Sequence, residues 1–290
     1  MTLLDRIRDV WTVDQARLSP FRVGGETVGW IDHDFLAALA SEPETFIVHP
    51  GAVELAHRLI TPAARTQAVE DALRRIYGRN QQGFGRWCDE RTPVCSGVGA
   101  APLFEIERAA VAVFGILTAG VHLNGYERES MRVWVARRAK TLSSQPGKLD
   151  QIVAGFLPFG TPPLDKLRAE AMEEAGIGPD IIASAVPGGF VTFCRAVPFG
   201  VQRGIVQVYD LALPPGFAPA NRDGEIEAFR LSTPAEIMSV LERTDDFKFD
   251  CALVAIDFLM RHGLLDHRHP ETPDLARWLR ADPAPGAARP

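Results

Sequence analysis

The sequence contains little cysteine and no long hydrophobic segment. Its cysteines have neither zinc-motif spacing nor the density of a disulfide framework, so we expect four reduced packing residues: Cys88, Cys95, Cys194 and Cys251. No apolar run reaches the roughly 18 residues that a helix needs to cross a bilayer. The composition therefore predicts a protein with neither a transmembrane helix nor a disulfide-based scaffold.

An excess of positive charge is also missing. Lysine and arginine total 31 against 37 acidic residues, which gives a formal net charge of −6. This balance argues against binding to nucleic acid, because phosphate backbones are bound by basic surfaces. Charged residues run through the first nine positions, which is not typical of a signal peptide, and we predict a cytoplasmic protein.

The chain is long enough for two domains. Its 290 residues are 46% hydrophobic and 23% charged, as in ordinary globular proteins. We predict a small α+β domain over residues 1–112 and a larger domain over 113–280. The tail at 281–290 consists mainly of alanine, proline and glycine, and we expect it to be disordered.

Alternating apolar residues predict several strands in the larger domain. A hairpin is expected at 120–126 and 131–139, with further strands at 190–197, 201–213 and 225–231. Thr233 and Glu236 have the spacing of a capping box and predict a helix from that point. Residues 250–262 are apolar almost all round and predict a buried helix.

The most informative stretch is an acidic segment at 155–177. Glu170 and Glu174 are separated by one helical turn, and Glu173 lies beside them. Carboxylates at this spacing repel one another, but a divalent cation between them would be well bound because hard cations prefer oxygen ligands. Thr161 is the expected N-cap of the helix and Gly176 its C-terminal end.

This stretch resembles the Nudix box. That pattern runs glycine, five residues, glutamate, seven residues, Arg-Glu, an aliphatic residue, any residue, Glu-Glu, any residue, glycine and an aliphatic residue. Seven positions are in register: Gly155, Glu170, Ala171, Glu173, Glu174, Gly176 and Ile177. Thr161 replaces the first glutamate, Ala169 replaces the arginine, and Phe156 stands where a second glycine is usual.

Further segments are similar to one Nudix branch, related to thiamine pyrophosphokinase, whose plant and fungal members carry an additional N-terminal domain of uncharacterised function. These segments, within residues 1–265, include 107–110, 120–126, 146–150, 223–227 and 256–263. In that branch a carboxylate often follows four residues after the missing glutamate, and Asp165 matches this place. The resemblance implies an α+β protein, with a small α+β domain before a Nudix α/β/α sandwich built on a mixed sheet.

The resemblance also implies an activity and a cofactor. The expected reaction is hydrolysis of a phosphoanhydride in a small organic diphosphate, especially an oxidised or damaged thiamine diphosphate, to the monophosphate. Mg²⁺ or Mn²⁺ would be held by Glu170, Glu173 and Glu174, with the backbone of Ala154 as a further ligand. Glu173 is also a candidate catalytic group.

A second carboxylate is expected from the acidic strand near 225. Glu225 and Glu227 would share one face of that strand, and either could act as base or as a further metal ligand, with Glu225 preferred. For substrate binding the candidates are Arg203, His122, Asn124 and Trp134. A homodimer is possible.

Three alternatives stay open at this point. The substrate could be a nucleoside diphosphate derivative such as ADP-ribose, because the box does not separate these substrates. The departures at Ala169 and Phe156 also fit a ligand-binding module without turnover. An isopentenyl-diphosphate isomerase-like enzyme shares the fold, but it needs a cysteine acid, for which Cys194 has no evident position.

Overall fold

The computed structural model describes residues 1–79, 81, 84, 86–97, 99–142, 144–158, 160–265 and 271–290. The first part of the chain contains these elements: α1 (Leu3–Arg8), β1 (Leu18–Val23), β2 (Glu26–Asp32), α2 (Leu36–Ala40), β3 (Phe46–His49), β4 (Ala52–Leu55), α3 (Pro62–Arg79), β5 (Arg91–Val94) and β6 (Phe104–Glu107). The first four strands form a sheet in the order β2-β1-β4-β3, and β5 pairs with β6. Their apolar side chains form one core with α2 and α3, which extends from Phe21 to Ile116. We call this unit the N-terminal domain.

The remainder, which we call the second domain, contains these elements: β7 (Leu117–Tyr126), β8 (Val133–Arg138), β9 (Leu149–Gln151), β10 (Val153–Phe156), α4 (Pro163–Ala175), α5 (Pro179–Ile182), β11 (Val186–Val197), β12 (Gly200–Ala212), β13 (Ile226–Ser232), α6 (Pro234–Arg243), α7 (Phe249–Arg261) and α8 (Thr272–Leu279). Its sheet has seven strands, and β12 runs parallel to β7 while the other pairs are antiparallel. The predicted α+β class with a mixed sheet is confirmed.

Helices cover both faces of this sheet. On one face α4 and α5 pack against Val121, Leu123 and Val153. On the other face α6, α7 and α8 pack against Val135, Val206 and Val208. The layers therefore follow the expected α/β/α arrangement, since each helix buries its apolar stripe on the sheet.

The predicted hairpin of β7 and β8 is confirmed, but its two strands pair directly over a short stretch. The two strands meet at Tyr126 and Val133, beside the turn. Beyond that point β10 pairs with β7 and β9 pairs with β8, so residues 149–156 lie between them. This insertion brings the start of the acidic segment into the middle of the sheet.

Two local expectations also differ from the structure. Thr161 does not cap α4: the helix begins at Pro163, its N-cap is Pro162, and no side chain bonds to the cap. The C-terminal residues that we expected to be disordered make contacts: Thr192 donates a 2.6 Å hydrogen bond to the carbonyl of buried Ala281, and the Arg289 guanidinium lies 4.3 Å from the ring centre of Trp11. By contrast, the Thr233 capping box and the Gly176 helix end are confirmed.

The first helix packs away from the N-terminal domain. Leu3, Leu4 and Ile7 of α1 are buried among residues of α6, α7 and α8. The Cys194 amide, on the edge strand β11, also donates a 3.1 Å bond to the carbonyl of Val10. Within the described part of the chain, no helix combines the length and apolar character needed to span a membrane.

Candidate functional site

The acidic segment is built by strand β10 and helix α4 packed side by side. Leu167, Ala171 and Ala175 form the buried stripe of the helix, and this fixes which glutamates face the strand. Glu174 is 6% exposed, and its Oε2 accepts a 2.8 Å hydrogen bond from the amide of Ala154. The helix and the strand are therefore joined through a buried carboxylate.

Glu170 lies one turn earlier, directly over Gly155. A Cβ atom at position 155 would be 2.8 Å from Cγ of Glu170, so a larger residue here would force the Glu170 side chain to move. Lys166 forms an ion pair with Glu170 from one helical turn before it. Glu173 faces outward and is exposed. The structure thus brings two of the three predicted glutamates together at the strand.

The electrostatics of this pair favour a cation. Burial, together with the charges of Asp150, Glu170 and Asp223, raises the pKa of Glu174 well above its ordinary value, and the Ala154 amide opposes this only in part. A group of carboxylates that is costly to ionise together becomes stable when a divalent cation shares the charge. The donor set at β10 and α4 fits such an ion.

A cleft of about 280 Å³ lies beside β10, and neither Glu170 nor Glu174 is among the residues that line it. Ala154 and Gly155 form part of its surface, so it begins where the acidic segment begins. Its other lining residues include three phenylalanines and six ionisable residues: Phe156, Phe193, Phe249, Arg108, His122, Arg138, Glu225, Lys248 and Asp250. An apolar wall beside polar groups is typical of a site for an organic anion.

Glu225 lines the same cleft, and Glu227 does not. The amide of Glu225 donates a 2.8 Å bond to Asp223, whose charge acts on Glu174. Glu225 and Glu227 are both exposed and flank buried Ile226, and the pairing of β13 with β8 is irregular between Ile226 and Ala228. Exposure alone therefore does not separate the two glutamates, whereas the cleft lining does.

His122 lies in the floor of the cleft within a buried network. Its Nδ1 lies 3.0 Å from Oε1 of Gln151, and the thiol of Cys251 donates a 2.8 Å bond to Asp150. Ligand atoms of His122, Asp150 and Cys251 fall within 4.8 Å of one another, so this trio could also hold a metal. Burial lowers the pKa of His122 and raises that of the Cys251 thiol well above its ordinary value.

Charge balance separates the two groups of ligands. In the buried network, Arg138 donates a 3.0 Å bond to Asp150, and Lys248 lies 3.1 Å from Asp250. The protein's own cations thus compensate these carboxylates, and Lys166 does the same for Glu170. Glu174 bonds to a neutral amide, and burial and nearby acidic charges raise its pKa, so the site at Glu174 fits a divalent cation better than the trio does.

Three of the predicted substrate-binding residues lie outside the cleft lining. Arg203 is buried and donates bonds of 2.8 and 3.3 Å to the carbonyls of Gly115 and Val28, so it joins the second domain to the N-terminal domain. Burial lowers the pKa of Arg203 to about 10. Asn124 bonds to Asp210 at 2.9 Å, and Trp134 packs against the apolar cluster around α4. Of the four candidates, His122 reaches the cleft.

Sequence reasoning missed the cations of the cleft. Arg138 and Lys248 lie beside a strand end and a helix start without any recognisable motif. Arg108 belongs to the stretch 107–110 that carried the resemblance, but no role followed from it. Asp165, the proposed substitute carboxylate, is exposed and pairs with Arg168 at 3.1 Å. Cys194 lies on β11 and is not among the residues that line the cleft.

Comparison with known proteins gives matches over most of the chain. A family model described as a domain of unknown function (DUF4743) matches residues 2–118. Nudix hydrolase 24, chloroplastic, from Arabidopsis thaliana is 38% identical over 265 residues, covering 90% of this chain and 72% of that protein. Nudix hydrolase 20, chloroplastic, from the same plant is 36% identical over 272 residues, with the same coverage. The crystal structure of DR0079 from Deinococcus radiodurans has a TM-score of 0.45 and 21% identity, covering 58% of this chain and 98% of that one.

Fold and site together define a class of protein in which a carboxylate-bearing helix packs beside a mixed sheet that carries a polar cleft. The chain belongs to the Nudix hydrolase family, as its identity to the two plant proteins shows. The resemblance to Nudix proteins with an additional N-terminal domain is confirmed.

Proposed function

We propose that this protein is a metal-dependent pyrophosphohydrolase that cleaves a small organic diphosphate, of thiamine diphosphate-like chemistry, to the monophosphate. The observation that carries the proposal is the buried carboxylate of Glu174, bonded to Ala154 and beside Glu170, which lies over Gly155; Ala154 and Gly155 both line the cleft. Burial, with the charges of Asp150, Glu170 and Asp223, raises the pKa of Glu174 well above its ordinary value, and a divalent cation would stabilise the ionised carboxylate. Family membership supports hydrolysis as the reaction.

Glu170, Glu174 and the backbone carbonyl of Ala154 would hold Mg²⁺ or Mn²⁺. A divalent cation there would neutralise part of the negative charge of the diphosphate. Water could then approach and attack the phosphorus atom. Glu225 lines the cleft and is our candidate to accept the proton of the attacking water. Glu173 is exposed and would serve neither as a metal ligand nor as the base.

The organic group would lie against the aromatic wall of the cleft. The rings of Phe193 and Phe249 are in edge-to-face contact with centres 4.9 Å apart, and Phe156 exposes part of its ring nearby. Such a wall suits a planar heterocycle. The resemblance to the thiamine-related branch supports a thiamine diphosphate-like substrate over ADP-ribose. ADP-ribose is therefore assayed in parallel as the alternative substrate.

The test measures phosphate release from thiamine diphosphate and oxythiamine diphosphate, and formation of AMP and ribose 5-phosphate from ADP-ribose, with and without Mg²⁺. Glu174→Gln should lower kcat by about 100-fold or more, because it removes a principal ligand charge. Glu225→Gln should also lower kcat. The matched control is Glu227→Gln, on the same segment but outside the cleft lining, which should retain wild-type kcat.

Two results would contradict the proposal. One is equal turnover by wild type and the Glu174→Gln variant. The other is binding of these diphosphates in calorimetry without product formation under any divalent metal, which would support the non-catalytic alternative. A homodimer, the absence of nucleic-acid binding and a cytoplasmic location stay predictions, and the word chloroplastic in the relatives' names concerns those proteins.

A further inference from the structure

The cleft carries three cations among the lining residues that the structure describes: Arg108, Arg138 and Lys248. Arg138 and Lys248 are each paired with a buried carboxylate, and their own side chains are 13% and 16% exposed. Removing either cation from its partner would leave a buried charge uncompensated, which is strongly unfavourable. An incoming anion therefore competes poorly for these two groups.

Arg108 is in a different situation. Its guanidinium pairs with Glu90 at 2.7 Å, and both side chains are 60% exposed. A pair in contact with water contributes little to stability, because solvent screens the attraction and either partner can be rehydrated. The Arg108 guanidinium can thus exchange Glu90 for an anionic ligand in the cleft.

The backbone of Arg108 is nevertheless held firmly. Its amide donates a 2.8 Å bond to the carbonyl of Glu90, and the buried carboxylate of Glu107 accepts bonds from the amides of Cys88 and Ala109. The following segment is tied to the second domain by the 2.8 Å bond from Arg203 to Gly115. An exposed guanidinium on a backbone that is held in place is well suited to binding a ligand.

We infer that Arg108 binds a phosphate oxygen of the substrate, and that the N-terminal domain thereby supplies part of the substrate site. Arg108 lies within the segment matched by the domain of unknown function. The inference rests on the proposed function for the identity of the substrate. It gives this domain a specific task, the binding of an anion through a forked guanidinium.

The test compares Arg108→Ala, Arg108→Lys and Glu90→Gln. Arg108→Ala should raise KM about tenfold or more with kcat within about twofold, since a charge-assisted hydrogen bond to the substrate is lost. Arg108→Lys should recover part of the affinity, because it keeps the charge but not the fork. Glu90→Gln should lower KM or leave it unchanged, because the competing carboxylate is removed.

Arg58→Ala is the matched control. Arg58 also forms an exposed arginine–glutamate pair in the N-terminal domain, with 59% of its side chain exposed, and it is not among the residues that line the cleft. Its KM should equal that of wild type. Equal KM values for Arg108→Ala and Arg58→Ala would overturn the inference, as would a rise in KM that also appears for Glu90→Gln.

Binding of inorganic pyrophosphate, measured by calorimetry, separates this inference from the proposed function. Absence of turnover in wild type overturns the proposed function, and pyrophosphate affinity then decides the inference: it must fall about tenfold in Arg108→Ala. If the wild type turns over substrate but Arg108→Ala binds pyrophosphate as tightly as the wild type does, the role of Arg108 is overturned and the proposed function stands. Thermal unfolding of each variant verifies that it is folded, and Arg108→Lys serves if the alanine variant is not.

Discussion

Lys166 contacts Glu170 from one helical turn earlier on α4. The family pattern places a basic residue immediately before this glutamate, where the chain has Ala169. Arg168 is no substitute, because it pairs with exposed Asp165 instead. Residues four apart on a helix face each other, so Lys166 can orient Glu170 from a position that the family pattern does not include.

A prediction at this scale concerns Lys166→Gln. Glu170 loses its orienting partner, and we expect kcat to fall about five- to tenfold and the Mg²⁺ concentration for half-maximal activity to rise. Arg168→Gln is the control, because Arg168 is on the same helix and its partner is exposed; its kinetics should match wild type. Identical metal dependence in both variants would show that Lys166 does not position Glu170.

At the scale of elements, α7 is attached to the sheet by charges as well as by apolar contacts. Arg261 of α7 donates a 3.0 Å bond to Asp210 of β12 and a 2.7 Å bond to Asp257. Arg280, beyond α8, donates a 2.6 Å bond to Asp257. Asn124 of β7 bonds to Asp210, so this network joins two strands and two helices.

Asp210→Asn tests the network through its pH dependence. Burial acts to raise the pKa of Asp210, but hydrogen bonds from Arg261, Asn124 and His262 hold it below the ordinary value. Because the pKa of Asp210 is lower in the folded protein than in the unfolded chain, where it is about 3.9, its ionised form stabilises the fold. This stability is fully present above the unfolded pKa and is lost as the pH falls through the folded pKa.

The variant should therefore lose about 3 kcal/mol of unfolding free energy at pH 7, and this difference should shrink below about pH 4. Urea unfolding across pH measures it. Glu127→Gln, which removes an exposed ion pair with Arg132, should cost less than about 1 kcal/mol. A difference from wild type that stays constant down to pH 2 would show that ionised Asp210 is not its source.

At the scale of the whole molecule, the order of the chain and the order of packing differ. Helix α1 precedes the N-terminal domain in sequence but completes the apolar core around α6, α7 and α8. The core of the N-terminal domain begins later, at Phe21. A boundary drawn along the sequence, such as 112, therefore does not separate the two cores.

Ile7→Ala should accordingly destabilise the second domain. Ile7 is 0% exposed, and truncating a buried isoleucine costs about 3 kcal/mol through lost burial and an unfilled cavity. Ile60→Ala is the same change at a side chain that is 76% exposed, and it should stay within about 0.5 kcal/mol of wild type. Chemical denaturation of both variants, followed by tryptophan fluorescence and circular dichroism, decides whether α1 contributes to this core.

Features that depend on neighbouring residues could be predicted from the sequence, and features that depend on residues far apart in the chain could not. The spacing of Glu170 and Glu174, the helix end at Gly176 and the capping box at Thr233 are local, and each was predictable because neighbouring residues determine helix geometry. Arg203 and Asn124 were assigned to the substrate, yet they bond to groups far away in sequence. A polar residue in a strand carries no local indication of which partner satisfies it.

The sequence by itself determined the helix that carries the glutamates, its end and the alternation of most strands, because these follow from backbone preferences within a few residues. The tertiary structure decided that residues 149–156 enter the sheet between β7 and β8 beyond their turn, that Glu225 and Ala154 meet at one cleft, and that Arg108 reaches it from the other domain. These outcomes depend on long-range pairing and on the balance of buried charges, which arise when distant segments are packed together.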